Sequence, residues 1–145
     1  MRRRGRRDGR SGQALIETAV TLPVLIALFF GFLAAGVAAQ GYVDLNTAVY
    51  LAAASNATAH ANNPGEQLGF ATDTFDATVS HDPLLAKQSF DCNGTNPAAG
   101  GIVTCRGSAI LRFSATPLSV VVPFDPTISA DAQAFRSLYR SESVT

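Results

Sequence analysis

From Ala19 to Ala39 the chain runs for 21 residues without a charged side chain. Coiled into an α-helix, that run is about 31 Å long at 1.5 Å per residue, which matches a hydrocarbon core of about 30 Å. A helix that is apolar on every side needs apolar surroundings. A chain of 145 residues leaves too little protein elsewhere to supply them. The run is therefore read as a membrane span, and the rest of the chain as room for one small domain.

Charge gives the span a direction. The formal net charge is zero, yet Arg2, Arg3, Arg4, Arg6, Arg7 and Arg10 crowd the first ten positions. From Gln13 onward five basic residues stand against ten acidic ones, a net of −5. Cytoplasmic flanks of membrane spans carry Lys and Arg, which predicts a cytoplasmic tip and an exported remainder. Arg-rich tips also bind nucleic acid. Here the run abuts the apolar segment and no second basic cluster follows, so anchoring is preferred and no nucleic-acid partner is expected.

Two residues mark the start of the span. Pro23 is expected to kink the helix modestly, near an end where a missing backbone donor is easily accommodated. Glu17 is costly at a membrane boundary unless it snorkels, protonates or finds a partner. Alone, it reads equally well as a headgroup-level residue without a role. Its neighbourhood, RSGQALIETAV, adds to this: Gly12 stands five positions before Glu17, between the basic leader and the apolar helix. This G-x-x-x-x-E arrangement is the signal that prepilin peptidases read. Cleavage after Gly12 would expose Gln13, whose α-amino group is positive at neutral pH. A neighbouring subunit's Glu17 could pair with that amine inside a helical bundle. The cost of an unpaired charge there would fix the axial register.

The stretch SGQALIETAVTLPVLIALFFGFLAAGVAAQGYVDLNTAVYLAA resembles the TadE-like family of the tight-adherence (Flp) pilus machinery. The likeness rests on GQALIE, on Pro23 within TLPVLI, and on an apolar helix continuing into a polar, Ala-rich end. It covers about residues 11–60. It implies a minor pilin or pseudopilin, matured by a prepilin peptidase and assembled with other pilin subunits and the pilus machinery. Thr18 follows the glutamate where major pilins of this system usually have an aromatic residue, and major pilins have little beyond the helix. Both differences point to a minor subunit, with TadE-type and TadF-type left open.

Past the span, Tyr42, Leu45, Val49 and Ala52 recur at helical spacing, while Asp44, Asn46, Thr47, Ser55 and Asn56 take other positions. The helix is expected to continue to about Ala61, stopped by Asn62-Asn63-Pro64-Gly65. The expected division is a leader at 1–12, a transmembrane helix at 13–40, an amphipathic continuation at 41–61 and a small extracytoplasmic domain at 62–145. Within that domain Leu68 to Phe75 reads as a short helix. Ile102–Thr104, Ala109–Ala115 and Leu118–Val122 read as strands, the last of them buried, and Ile128 to Tyr139 as a final strand or short helix. The fold class is α+β, a long pilin-like helix packed on a small antiparallel sheet.

Cys92 and Cys105 are the only cysteines and flank a Gly/Asn/Pro-rich loop. On an exported domain such a pair is expected to form a disulfide, and two cysteines are too few for a structural zinc site. No P-loop, G-x-S-x-G, H-E-x-x-H or C-x-x-C is present. His60 and His81 are isolated, and Asp73, Asp76 and Asp82 do not fit an EF-hand. No enzyme activity, cofactor or metal is expected. Asn56-Ala57-Thr58 and Asn93-Gly94-Thr95 match the glycosylation sequon, a pattern short enough to arise by chance. Two rival readings keep the apolar run but change its fate. A signal peptidase could cut after Ala39 and release a soluble secreted protein, or the chain could remain an uncleaved single-span protein with another role.

Overall fold

The computed structural model describes residues 10–59, 64–93 and 101–136. Helix α1, Arg10–Thr58, has 49 residues and passes through Pro23 without interruption. At 1.5 Å per residue it is about 74 Å long. It ends three residues before the expected Ala61. The leader up to Gly9, the expected helix end at His60 and Ala61, and Asn62 and Asn63 of the expected stop signal lie outside the described residues. Helix α2, Pro64–Val79, opens with proline at its first position, where a missing N–H costs nothing, and with Glu66 in its first turn. It is twice as long as the Leu68–Phe75 helix read from sequence.

The two helices run antiparallel. Asn56 Nδ2 near the end of α1 donates to the Gln67 carbonyl near the start of α2 (3.3 Å). At the other end, Gln40, Asp44 and Thr47 of α1 share a shallow depression with Thr78, His81 and Asp82. Between those points Ala71, Phe75 and Val79 of α2 and Leu45, Ala48, Val49, Ala52 and Ala53 of α1 are buried. The many alanines let the elements approach closely. Tyr42 departs from the expected apolar face and is 51% exposed, while Asn56 departs the other way and is fully buried.

Three antiparallel strands form a sheet in the order β1-β2-β3: β1 Leu85–Asn93, β2 Ile102–Leu111 and β3 Thr127–Phe135. Alternation decides the faces. Val103, Cys105, Gly107, Ala109 and Leu111 of β2, with Ala130 and Ala132 of β3, point to the helices and are buried. Helix α1 covers β2 and β3, whereas α2 reaches β1 through Phe75, which stacks on Phe90 with ring centroids 4.7 Å apart. The opposite face is polar along its middle, with Ile102 and Phe135 exposed at one end. Arg106 pairs with its cross-strand partner Asp131, and Ser89 hydrogen-bonds its partner Ser108 at 2.8 Å.

Several sequence expectations change here. The pieces at Ile102–Thr104 and Ala109–Ala115 are one strand through Gly107, which ends at Leu111. Leu118–Val122 is not a buried strand. Pro117–Val120 forms a 3₁₀ turn capped by Thr116, and Val120 is 89% exposed. Its backbone donors are spent locally instead: the Ser119 N–H bonds to the Thr116 carbonyl, and the Val121 and Val122 N–H groups bond to the Leu118 carbonyl. The Ile128–Tyr139 segment is a strand, β3, that stops at Phe135, and its end from Ser137 lies outside the described residues. Strand β1 had no counterpart in the sequence reading. Its period is broken by a bulge between Ala86 and Ser89, where Lys87 has a φ of 47°.

Cys92 and Cys105 are direct cross-strand partners, 4.0 Å apart at Cα, and are joined by a disulfide. The pair closes a loop with a sequence separation of 13, which stabilises the domain by about 3 kcal/mol in the chain-entropy model. Replacing both cysteines by alanine is expected to lower the denaturant midpoint accordingly. Added reductant should then leave the double variant unaffected while it destabilises the parent.

A second tie closes the β2–β3 connection. The Ser114 backbone N–H and hydroxyl donate to the two carboxylate oxygens of Asp125, at 2.8 and 2.7 Å. Those hydrogen bonds hold the Asp125 carboxyl below its ordinary value, and the hydrogen bond and charge of Arg106 do the same for Asp131. A depressed carboxyl contributes stability above its unfolded value and loses it as pH falls through the folded value. The thermal midpoint should therefore hold down to about pH 4 and decline below it. Asp125→Asn should flatten part of that decline.

Candidate functional site

The N-terminal part of α1 stands free of the domain. From Gly12 to Leu33 only Phe30 is even half-buried, and Phe32 is 86% exposed. That bare length is about 33 Å at 1.5 Å per residue. Among the described residues α1 is the one helix long and apolar enough to cross a membrane. Its other half carries the domain. One helix thus serves two surroundings, apolar on all sides below and apolar on one stripe above.

Gly12, Gln13 and Glu17 lie together at the free end, and all are exposed. Gln13 and Glu17 are four residues apart and share a face. A shallow strip lined by Gly12, Gln13, Ile16, Glu17, Val20 and Thr21 runs along it, and a neighbouring strip shares Glu17 and Thr21. The hydroxyls here are satisfied within the helix: Thr18 donates to the Ala14 carbonyl at 2.8 Å and Thr21 to the Glu17 carbonyl at 2.6 Å. Among the described residues the Glu17 carboxylate forms no ion pair. It is a charge-capable group on an apolar surface, open to a partner from outside the chain.

The Gly12–Gln13 peptide bond lies inside α1, three residues from its start. A terminal amine created there would sit at the positive end of the helix dipole and gain from a nearby carboxylate. Pro23 stands about 16 Å further along the axis. Its missing N–H leaves the Ala19 carbonyl without its usual helical donor. Cys92 and Cys105 are not part of this end; they lie in the sheet beside the helical hairpin.

No group of three or more His, Cys, Asp or Glu side chains is placed to hold a metal among the described residues. His81 Nδ1 lies 3.1 Å from the Ala77 carbonyl at the end of α2. Asn56 of the first sequon is fully buried, so a glycan cannot be attached there without unfolding the hairpin. Asn93 is exposed, with Gly94 and Thr95 outside the described residues. Sequence reasoning, which reads Leu118–Val122 as a buried strand, misses the exposed apolar loop after β2 formed by Val120, Val121 and Phe124.

No curated protein and no solved structure matches the chain significantly. The model of the TadE-like protein family does match it, over residues 12–54. The matched stretch begins at Gly12, runs through Glu17 and Pro23, and ends four residues short of the end of α1. That family is a structural one associated with the Tad pilus. The free end of α1, its apolar length and the stripe that packs on the domain are thus all within one TadE-like segment.

Proposed function

We propose that the protein is a minor pilin or pseudopilin that takes part in assembly of a Flp-type pilus. The observation that carries this reading is the TadE-like match beginning at Gly12, on a helix whose first 33 Å or so is bare and apolar. In this reading residues 1–12 stay in the cytoplasm, α1 crosses the membrane, and the disulfide-bonded domain lies outside. A prepilin peptidase cuts between Gly12 and Gln13. The Glu17 carboxylate of one subunit then meets the new amine of another, and other pilin subunits pack along the bare helix. Pro23 gives the span a point at which to bend during that packing.

Packing of the helix also weighs against a cut after Ala39. Ala34 is buried in the domain core, and Gly41 approaches Leu111 closely. Cleavage there would remove one of these contacts and fray the other. Sequencing the mature N-terminus distinguishes the fates. Gln13 is the expected first residue, lost in favour of the full leader when the peptidase is deleted. Gln40 would indicate secretion, and an intact leader in normal cells would indicate a simple anchor. Either outcome removes the pilin reading.

A further inference from the structure

The connection between β2 and β3 presents Val120 and Phe124 to the outside, 89% and 64% exposed, with Val121 and Pro123 also exposed. Its height on α1 follows from two close approaches. Gly107 lies against Val49, and Leu111 lies against Gly41. Four strand residues cover about 13 Å while eight helix residues cover about 12 Å, so β2 descends α1 toward its bare end. Strand β2 ends at Leu111, level with Gly41, and the loop leaves the sheet at that end. Phe113 and Leu118 join the same core as Ala34, on which Phe30, Val37 and Ala38 are half-buried. Ala34 is five residues inside the apolar run that ends at Ala39, before Gln40, about 8 Å along the axis.

The domain's cover of α1 therefore reaches below the level at which the apolar run ends, at the end of the sheet from which the loop projects. When α1 spans a bilayer, that level is the boundary between headgroups and acyl chains on the outer side. Apolar groups facing out at this depth leave water for lipid, and burial by 5–10 Å or so is the usual depth of interfacial segments. The polar groups nearby are compatible with it. Arg112, exposed at the start of the loop, is a cation of the sign that lipid phosphate attracts, on a side chain long enough to reach toward the headgroups. The Asp125 carboxylate is already engaged by the Ser114 N–H and hydroxyl.

We infer that this loop is a second membrane contact, inserting Val120, Val121 and Phe124 into the outer lipid interface beside the span. It rests on the reading of α1 as a span, and holds the domain close to the bilayer.

The chain has no tryptophan, so single replacements report their own surroundings. The full chain is reconstituted, at high lipid excess, in phosphatidylcholine–phosphatidylglycerol vesicles as Phe32→Trp, Phe124→Trp or Phe135→Trp. Phe135 is 76% exposed and lies opposite Ile102, at the sheet end far from the loop. Expected is that Phe124→Trp emits to the blue, loses most of its emission to brominated acyl chains and resists iodide, as Phe32→Trp does. Phe135→Trp should respond to iodide alone. If Phe124→Trp behaves like Phe135→Trp, the loop faces water and the inference fails. Shielding from both quenchers would mean protein covers the loop, which also overturns it. A lipid-insensitive Phe32→Trp would instead show that α1 does not span.

Discussion

Gly107→Val is expected to destabilise the domain by about 3 kcal/mol, near the upper end for overpacked cores. A Cβ at this position would lie 2.5 Å from Val49 Cγ2 and 3.0 Å from Phe75 Cε2. Neither neighbour can withdraw, since Val49 is fully buried and Phe75 is 1% exposed. The position is the seam where both helices meet the central strand, and valine adds two further methyl groups to it. Against a total stability of about 5–15 kcal/mol, the loss would show plainly in a urea midpoint measured on the micelle-bound chain. Gly69→Ala is the contrasting case. Nothing lies within 4 Å of its added methyl, so the helix-propensity gain of about 0.5–1 kcal/mol should be realised. Equal effects at the two glycines would mean that the helices do not press on β2 as described.

The same glycine shows why the sheet was only partly legible. In IVTCRGSAIL the residues on either side of Gly107 alternate correctly, but a glycine reads as a breaker. What it marks is the close passage of Val49 and Phe75, a contact between residues far apart in sequence. Strand β3, TISADAQAF, alternates Ala130 and Ala132 inward because α1 lies tight above it, and alanine gives no strand signal of its own. Strand β1 was invisible because the bulge at Lys87 shifts its period.

The long helix was legible for the opposite reason. Its constraints are local: an uncharged run of bilayer length, then an apolar stripe at Leu45, Val49 and Ala52 that the sheet covers. The segment from Val120 to Phe124 carries a further lesson. Apolar, β-branched residues read as core because burial against protein is the usual destination of such runs. In a chain read as spanning a membrane, lipid is a second destination, open to a segment whose backbone donors are already spent within a turn. Of the candidate site, the residues Gly12, Gln13, Glu17 and Pro23 were readable as a motif, while their isolation from the domain emerges only from the fold.

Glu17→Ala is expected to leave the domain folded and the helix inserted, yet to exclude the subunit from the sheared pilus fraction. Glu17 is exposed, and the continuous cover of α1 by the domain begins beyond it, near Ala34, so its loss should not shift the thermal midpoint. The effect arises between subunits. In a bundle of apolar helices the Gln13 amine would be left without a counter-charge, and removing one partner of a buried pair costs about 3–5 kcal/mol. Each 1.4 kcal/mol is a factor of ten, so incorporation should fall on the order of 100-fold or more. Glu17→Gln should fail similarly, because a neutral amide does not balance an ammonium group, whereas Glu17→Asp should recover part of the incorporation. The comparison is made on molecules already shown to begin at Gln13, which separates assembly from processing. Were processed Glu17→Ala to enter pili at the parental level, the register could not depend on this carboxylate. The reading of α1 as a span and the domain it carries would stand unaffected, and recognition between subunits would have to be sought along the apolar strip formed by Ile16 and Val20.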